Sequence, residues 1–310
     1  MASSTRPTLG IALGGGAARG WAHIGVLKSL VEAGLEPDIV AGTSIGAVAG
    51  ACYVTGRLSA LEDFACALTR RRMFGFLDFN FAGSGLITGQ RLSARLEHHL
   101  QGFSIEQLER RFVAVATELG TGHEVWLNRG SLVNALKASF ALPGIFRPVK
   151  INGRWLIDGA LVNPIPVSVC RALGARIVIA VSLSNDLLNR GGVIHDQAAF
   201  MEPAAAAAED DRLPGANGRA ALHLLHRQIF GRNDDAPGIS AVMMDAINIT
   251  QDRIARSRLA GDPPDVTIGP KMGGIGLFDF HRACEAIELG ARAAEKQIDE
   301  IKAAISVIAA

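Results

Sequence analysis

Hydrophobic and polar positions along the chain switch repeatedly between two periods. Residues 8–13 (TLGIAL) form a short apolar run that predicts a buried strand. The run leads into GGGAARG, after which Ile24, Leu27, Leu30 and Val31 recur at helical spacing until a stop near Gly34. Pro37 opens a second strand over 38–41, which runs into GTSIG and a small-residue helix ending near Gly56. Further strands are expected at 112–117, 124–128, 176–182 and 265–268, and helices at 90–100, 131–140, 167–173, 239–259 and 279–301. This alternation predicts an α/β fold of three layers, a mainly parallel central sheet flanked by helices. Because βαβ crossovers are nearly always right-handed, the two Gly-rich loops should leave neighbouring parallel strands at their carboxyl edge and face one cleft.

Residues 185–237 break the alternation with Ala204 to Ala208, the acidic run Glu209, Asp210 and Asp211, and several Gly and Pro. They read as a mobile insert in an otherwise single domain spanning 5–310. No internal repeat is present.

Composition narrows the classes. With 310 residues and 49% apolar side chains, there is ample material for a buried core; 35 glycines suit a fold with many tight strand-to-helix turns. A formal charge of +1 supplies no global field for nucleic acid or an anionic membrane, so no nucleic-acid partner is expected and any peripheral membrane contact must be local. Cys52, Cys66, Cys170 and Cys284 are scattered without a CxxC pair, which predicts reduced thiols and a cytoplasmic setting. The start MASSTRPTLG lacks the basic and apolar runs of a secretory signal, so export is not expected. The uncharged stretch 39–56 is built from Ala, Gly, Ser, Thr and Val without Leu or Phe, and reads as buried strand, turn and helix instead of a membrane span.

GTSIG fits G-x-S-x-G between a strand and a helix. Gly42 and Gly46 leave room for a sharp turn, so Ser44 can project its hydroxyl beside a helix N-terminus as a nucleophile. The plain alternative is a helix cap, a position serine also favours. GGGAARG offers consecutive backbone N–H groups at a strand-to-helix junction, suited to a phosphate or to the oxyanion of an ester's tetrahedral intermediate. A dinucleotide site would want an acidic residue at the end of the second strand; Asp38 lies at its beginning. In RWLIDGALVNPIPV, Asp158 follows an apolar run and precedes a turn glycine, so it is either a base for Ser44 or the Asp of a structural turn.

Three separated motifs coincide, in order, with one family pattern, and the chain resembles bacterial patatin-like phospholipases related to the neuropathy target esterase group. GGGAARG resembles the family's oxyanion loop, GTSIG its nucleophile elbow, and Asp158, Gly159 and Ala160 its base motif; FALPGIFRPV and DGALVNPIPV extend the likeness. The resemblance covers roughly 8–182 and resumes near 239 through the last helix. It implies a patatin-like fold and a Ser-Asp dyad, in which Asp158 takes the Ser44 proton directly without a histidine relay. It also implies oxyanion donors drawn from Gly14, Gly15, Gly16 and Ala17, with Arg19 fixing the loop or adding positive charge. The activity implied is that of a carboxylic ester hydrolase acting on lipid fatty acyl esters, phospholipid or lysophospholipid, through an acyl-serine. It needs no cofactor and no metal. The setting would be cytoplasmic with peripheral contact at the inner membrane face; the oligomeric state stays open.

Arg70, Arg71 and Arg72 precede Phe74, Phe76, Phe79 and Phe81, which could meet a headgroup and acyl chain or simply form a solvated face and a core under a cap. His98 and His99 read as helix residues without metal, and Cys52 as a buried, inert thiol. Three rival readings remain: a triad using His281, a nucleotide-binding module built on the Gly-rich loop, and a catalytically silent interaction domain.

Overall fold

The computed structural model describes residues 6–69, 90–183 and 239–309. The expected insert at 185–237, the arginine run 70–72 and the four phenylalanines that follow it lie outside the described residues. Contacts divide the chain into a main unit, Met1–Asp186 with Gln251–Ala310, and a second unit, Leu187–Thr250. Of the second, the described part is a stretch of helix over 239–250.

Among the described residues, eight strands form one sheet: β1 (Leu9–Leu13), β2 (Ile39–Thr43), β3 (Arg111–Glu118), β4 (Glu124–Leu127), β5 (Val149–Ile151), β6 (Arg154–Asp158), β7 (Ile177–Val181) and β8 (Val266–Ile268). The helices are α1 (Ala22–Glu32), α2 (Ile45–Val54), α3 (Leu58–Cys66), α4 (Gln90–Leu100), α5 (Leu132–Ser139), α6 (Val167–Ala172), α7 (Ile239–Gly261), α8 (Ala283–Glu295) and α9 (Ile298–Ala309). Strand order is β5-β6-β3-β2-β1-β7-β8, with β4 also paired to β3. The run from β3 to β8 is parallel, while β4, β5 and β6 pair antiparallel, so the sheet is mixed.

β1, β2 and β7 are buried at every position, which is why they read as unbroken apolar runs instead of alternating ones. Their alternate residues still divide between two cores. Leu9, Ile11, Leu13, Ile177, Ile179 and Val181 pack with α1, α2, α5 and α8, whereas Ala12, Ile39, Ala41, Val178 and Ala180 pack with α6 and with Ala255 of α7. Helices therefore cover both faces, giving three layers. Leu13 stands opposite Gly42, so the loops after β1 and β2 leave the sheet side by side.

Three local features depart from the sequence reading. The β5–β6 hairpin was not expected, although Asn152-Gly153 between two short runs is its signal; both residues have positive φ, 48° and 82°. Helix α3 follows α2 directly and was also missed. The single helix expected over 279–301 is two, α8 and α9.

The thiols need a correction. Cys52 and Cys170 are free and buried, but Cys66 and Cys284 are joined in a disulfide, with Cα atoms 5.3 Å apart. They lie 218 residues apart, and the fold alone brings the end of α3 to the start of α8, so spacing along the chain held no hint of the pair. The argument from reduced thiols to a cytoplasmic setting loses its premise at these two positions. Among the described residues no helix is long and apolar enough to cross a membrane.

Candidate active site

β3 acts as the ruler on which the site is assembled. β2 pairs with 111–115 of β3 and β4 with 114–117; their overlap places them on opposite edges. β6 pairs with 116–118, overlapping β4, and must therefore share β2's edge. β2 runs parallel to β3 and β6 antiparallel, so their carboxyl ends meet head-on: Thr43 opposite Val115, Asp158 opposite Ala116. The residue after Thr43 is Ser44.

Ser44 sits at φ 57° and ψ −124°, a sparsely populated conformation for a residue with a side chain, at the sharp bend between β2 and α2. The bend is possible because its flanking glycines carry nothing. A Cβ on Gly42 would lie 2.5 Å from Cα of Ala47, and one on Gly46 would strike the Leu13 carbonyl and come within 2.6 Å of the Gly14 carbonyl. Ser44 occupies the cap position of α2, yet its side chain makes no cap bond. Its Oγ donates instead to Oδ2 of Asp158 at 2.7 Å.

Asp158 is 2% exposed. Its two oxygens are divided: Oδ2 receives Ser44, and Oδ1 accepts the Ala160 amide at 2.8 Å, closing a short 3-10 turn at Gly159–Leu161. The base geometry and the structural Asp-Gly turn thus coexist on one carboxyl. Burial pushes its pKa up to about 6, against the opposing pull of the bonds from Ala160 and Ser44. A carboxylate so placed is a better proton acceptor than a solvated aspartate and is still ionised at neutral pH. Gly159 is obligatory, since a Cβ there would run into the Val115 carbonyl.

The Gly-rich loop is more committed than its sequence suggests. The Gly14 amide donates to Val181 O at 3.1 Å and the Gly15 amide to Pro164 O at 3.0 Å. Neither is free to bind an oxyanion in this arrangement, because their hydrogen bonds knit the loop to β7 and to the turn after Asp158. The amides of Gly16 and Ala17, and that of Ile45 after Ser44, take no acceptor among the described residues. Ala17 has φ 48°, the left-handed conformation that a glycine would adopt without strain. Arg19 donates from Nε to Ile275 O at 2.8 Å, and the Ala18 amide reaches Leu277 O at 3.0 Å, so a segment from the far end of the chain braces the loop. Two committed amides among the first three also weaken the phosphate-cradle reading.

The described histidines are placed elsewhere. His23 is buried and neutral, its pKa lowered to about 4 by desolvation, and Nε2 donates to Gly14 O at 2.7 Å. No hydrogen bond joins a histidine to Ser44 or Asp158 among the described residues, and His281 lies in the turn Phe280–Arg282. The rings of His98 and His99 meet edge to face at 5.0 Å. Among the described residues no cluster of His, Cys, Asp and Glu suits a metal. Burial drives the Cys52 thiol up to about 12, leaving it inert.

Several supporting residues were invisible to motif reasoning. Thr43 Oγ1 donates to Asn163 O at 2.8 Å, tying the elbow to the turn that carries Asp158. Thr117 Oγ1 donates to Asp158 O at 2.8 Å. Ser139, fully buried at the end of α5, accepts the Ser44 amide at 2.9 Å and donates to Val115 O at 2.6 Å. The one signal available was a small hydroxyl residue inside or beside an apolar run.

The comparisons with known proteins agree with one another. A model of the patatin-like phospholipase family matches residues 11–171. An NTE family protein of Mycobacterium tuberculosis is 32% identical over 335 residues, covering 96% of this chain and 92% of its own length. A second NTE family protein of that organism is 30% identical over 292 residues, covering 93% of this chain and 46% of its own length. Mouse patatin-like phospholipase domain-containing protein 6 is 33% identical over 188 residues, covering 58% of this chain and 14% of that protein.

Proposed function

This chain belongs to the patatin-like phospholipase family, and on that premise we propose that it cleaves fatty acyl esters of phospholipid or lysophospholipid with Ser44 as nucleophile and Asp158 as base. Membership supports lipid acyl hydrolase activity in the broad sense. The single observation that carries the narrower reading is the 2.7 Å hydrogen bond from the Ser44 hydroxyl, held at a strained bend, to a buried carboxylate.

In the first step Asp158 takes the hydroxyl proton as Oγ attacks the ester carbonyl carbon, and the carbonyl oxygen becomes an oxyanion. The Gly16 and Ala17 amides, with Ile45 at the N-terminus of α2, are the donors left to receive it. Collapse of the tetrahedral intermediate breaks the bond to the alcohol, which takes the proton from Asp158 and departs, leaving acyl-Ser44. Water then attacks the acyl carbonyl while giving its proton to Asp158; release of the fatty acid returns that proton to Ser44. Arg19, bonded to the Ile275 carbonyl, fixes the loop. Removing one oxyanion donor typically costs about a hundred- to thousandfold in turnover, so the loop matters as much as the base.

A fluorophosphonate probe tests the nucleophile: it should label the wild type and not Ser44→Ala, and labelling that survives the substitution removes Ser44 from the mechanism. Asp158→Asn should keep its fold and lose roughly a hundred- to ten-thousandfold in turnover of a short acyl ester; unchanged turnover would remove the base. Substrate class is read by offering lysophospholipid, phospholipid and triglyceride to the wild type, with Ser44→Ala as the blank.

A further inference from the structure

We infer that Ser139 is a positioning residue for the nucleophile: its hydroxyl stands in for the ladder rung that β2 gives up at Ser44, and so sets the distance between Ser44 and Asp158. Its meaning for catalysis rests on the hydrolase reading above, but its geometry does not.

In a parallel sheet, an amide just past the last paired residue of β2 would donate straight to a β3 carbonyl. Here the chain turns away at Ser44. The amide donates at 2.9 Å to Ser139 Oγ, which passes a hydrogen bond on to Val115 O at 2.6 Å. A hydroxyl can accept and donate at once, and this junction asks for both. Val115 is also the last β3 residue paired with β2, and Ala116 after it is the first paired with β6 on the shared edge. The same carbonyl is what excludes any side chain from Gly159, next to the base. One backbone group therefore references the nucleophile through Ser139 and the base through Gly159.

A purely structural serine at a buried helix end commonly bonds back to a carbonyl of its own helix. Ser139 sends its hydrogen to β3 instead. It is fully buried, so its removal strands an N–H and a C=O with no solvent at hand. The gap can close only if the elbow moves toward β3, which changes the placement of Oγ relative to the carboxylate.

Time courses of fluorophosphonate inactivation separate the first-order labelling step from probe binding. Ser139→Ala should slow labelling about ten- to a hundredfold with apparent binding unchanged, the size expected for a misplacement of about 1 Å. Ser139→Thr, which keeps the hydroxyl, should restore most of the rate; Ser139→Cys, a weak hydrogen bonder of similar size, should fall between and serves if the threonine variant does not fold. Thermal unfolding identifies the folded variants. A folded Ser139→Ala that labels at the wild-type rate overturns the inference.

Amide hydrogen exchange across residues 42–48 needs no catalysis. It should show faster exchange at one amide in Ser139→Ala and unchanged protection in Ser44→Ala. If the probe labels Ser44→Ala as well as the wild type, the hydrolase reading has failed, and exchange alone decides the bridge: wild-type protection in Ser139→Ala overturns it.

Discussion

Ser44 and Asp158 are separated by 114 residues of chain and are held by opposite kinds of structure. Ser44 lies at the end of β2, flanked by β1 and β3, in a bend whose glycines leave no room for another atom. Asp158 ends a five-residue strand between β3 and the three-residue β5. Hydroxyls secure it: Thr117 to its own carbonyl and Thr43 to the turn beyond it, while Ser139 holds the elbow opposite. Backbone packing dominates the elbow half, with Ser139 as its polar tie, and polar side chains dominate the base half, with Gly159 as its close fit. Damage to the packing of the central elbow should therefore act on the fold, and damage to the polar ties or to the short β6 on the chemistry.

The harshest test adds one methyl to each half. Gly46→Ala would drive Cβ into the Leu13 carbonyl in the middle of the sheet, where neither β1 nor α2 can retreat. A loss on the order of 3 kcal/mol or more, or no folded protein, is expected. Gly159→Ala meets an equally hard neighbour, the Val115 carbonyl, but β6 is short and has only the small β5 outside it. It can shift, at a cost of about 1–3 kcal/mol, and any shift moves Asp158 away from Ser44. Chemical denaturation with ester turnover checks both: Gly159→Ala should be folded and inactive, and the comparison fails if Gly46→Ala proves the milder of the two.

The same division governs what could be read from the chain. The elbow was legible because Gly42 confronts Ala47 within one short motif, which carries that part of its own geometry; the clash that keeps Gly46 bare comes from Leu13 and Gly14 at the end of the neighbouring strand. The central strands were legible because burial on both faces makes them plainly apolar. Asp158 was legible only through the family pattern, since its meaning depends on β6 meeting β2 along β3, a matter of register between distant segments. Ser139 and Thr117 carried no motif, only a hydroxyl inside or beside an apolar run. In the Gly-rich loop the motif located candidate amides, but the commitment of Gly14 and Gly15 depends on Val181 and Pro164, which no local reading supplies. The Asn152-Gly153 hairpin was legible and was missed.

Burial offers a gentler probe of the base half. With its pKa raised to about 6 by desolvation, Asp158 is ionised above that value and protonated below it. As the base it must be ionised, so kcat/KM for a short uncharged acyl ester should be level above about pH 7. It should fall about tenfold per unit below the limb near 6. Nothing on the elbow half titrates, so one ionisation should describe the acid side. A limb at the ordinary aspartate value of 3.8 would mean that the carboxyl is hydrated during turnover and that its burial is not felt.

The smallest effect separates the halves most sharply, because it gives their substitutions opposite signs. A carboxyl whose pKa is higher folded than unfolded binds its proton more tightly in the folded state. Its contribution to stability is therefore greatest below the unfolded value near 3.8 and is lost as pH rises through about 6. At pH 8 the wild type carries the full cost of keeping Asp158 charged and buried, on the order of 3 kcal/mol for a shift of about two units. Asp158→Asn removes that cost and keeps an oxygen for the Ala160 amide, so its Tm at pH 8 should exceed the wild type's by roughly 2–6 °C. The gain should vanish near pH 4, where the wild-type carboxyl is already neutral. Ser44→Ala does the reverse at pH 8: it takes away a hydrogen bond that eases the buried charge and leaves the bend as strained as before, so Tm should fall. Differential scanning calorimetry of both variants at the two pH values checks the pair. If Ser44→Ala also stabilises at pH 8, the Ser44 hydroxyl does not ease the buried charge, and the opposition of signs fails.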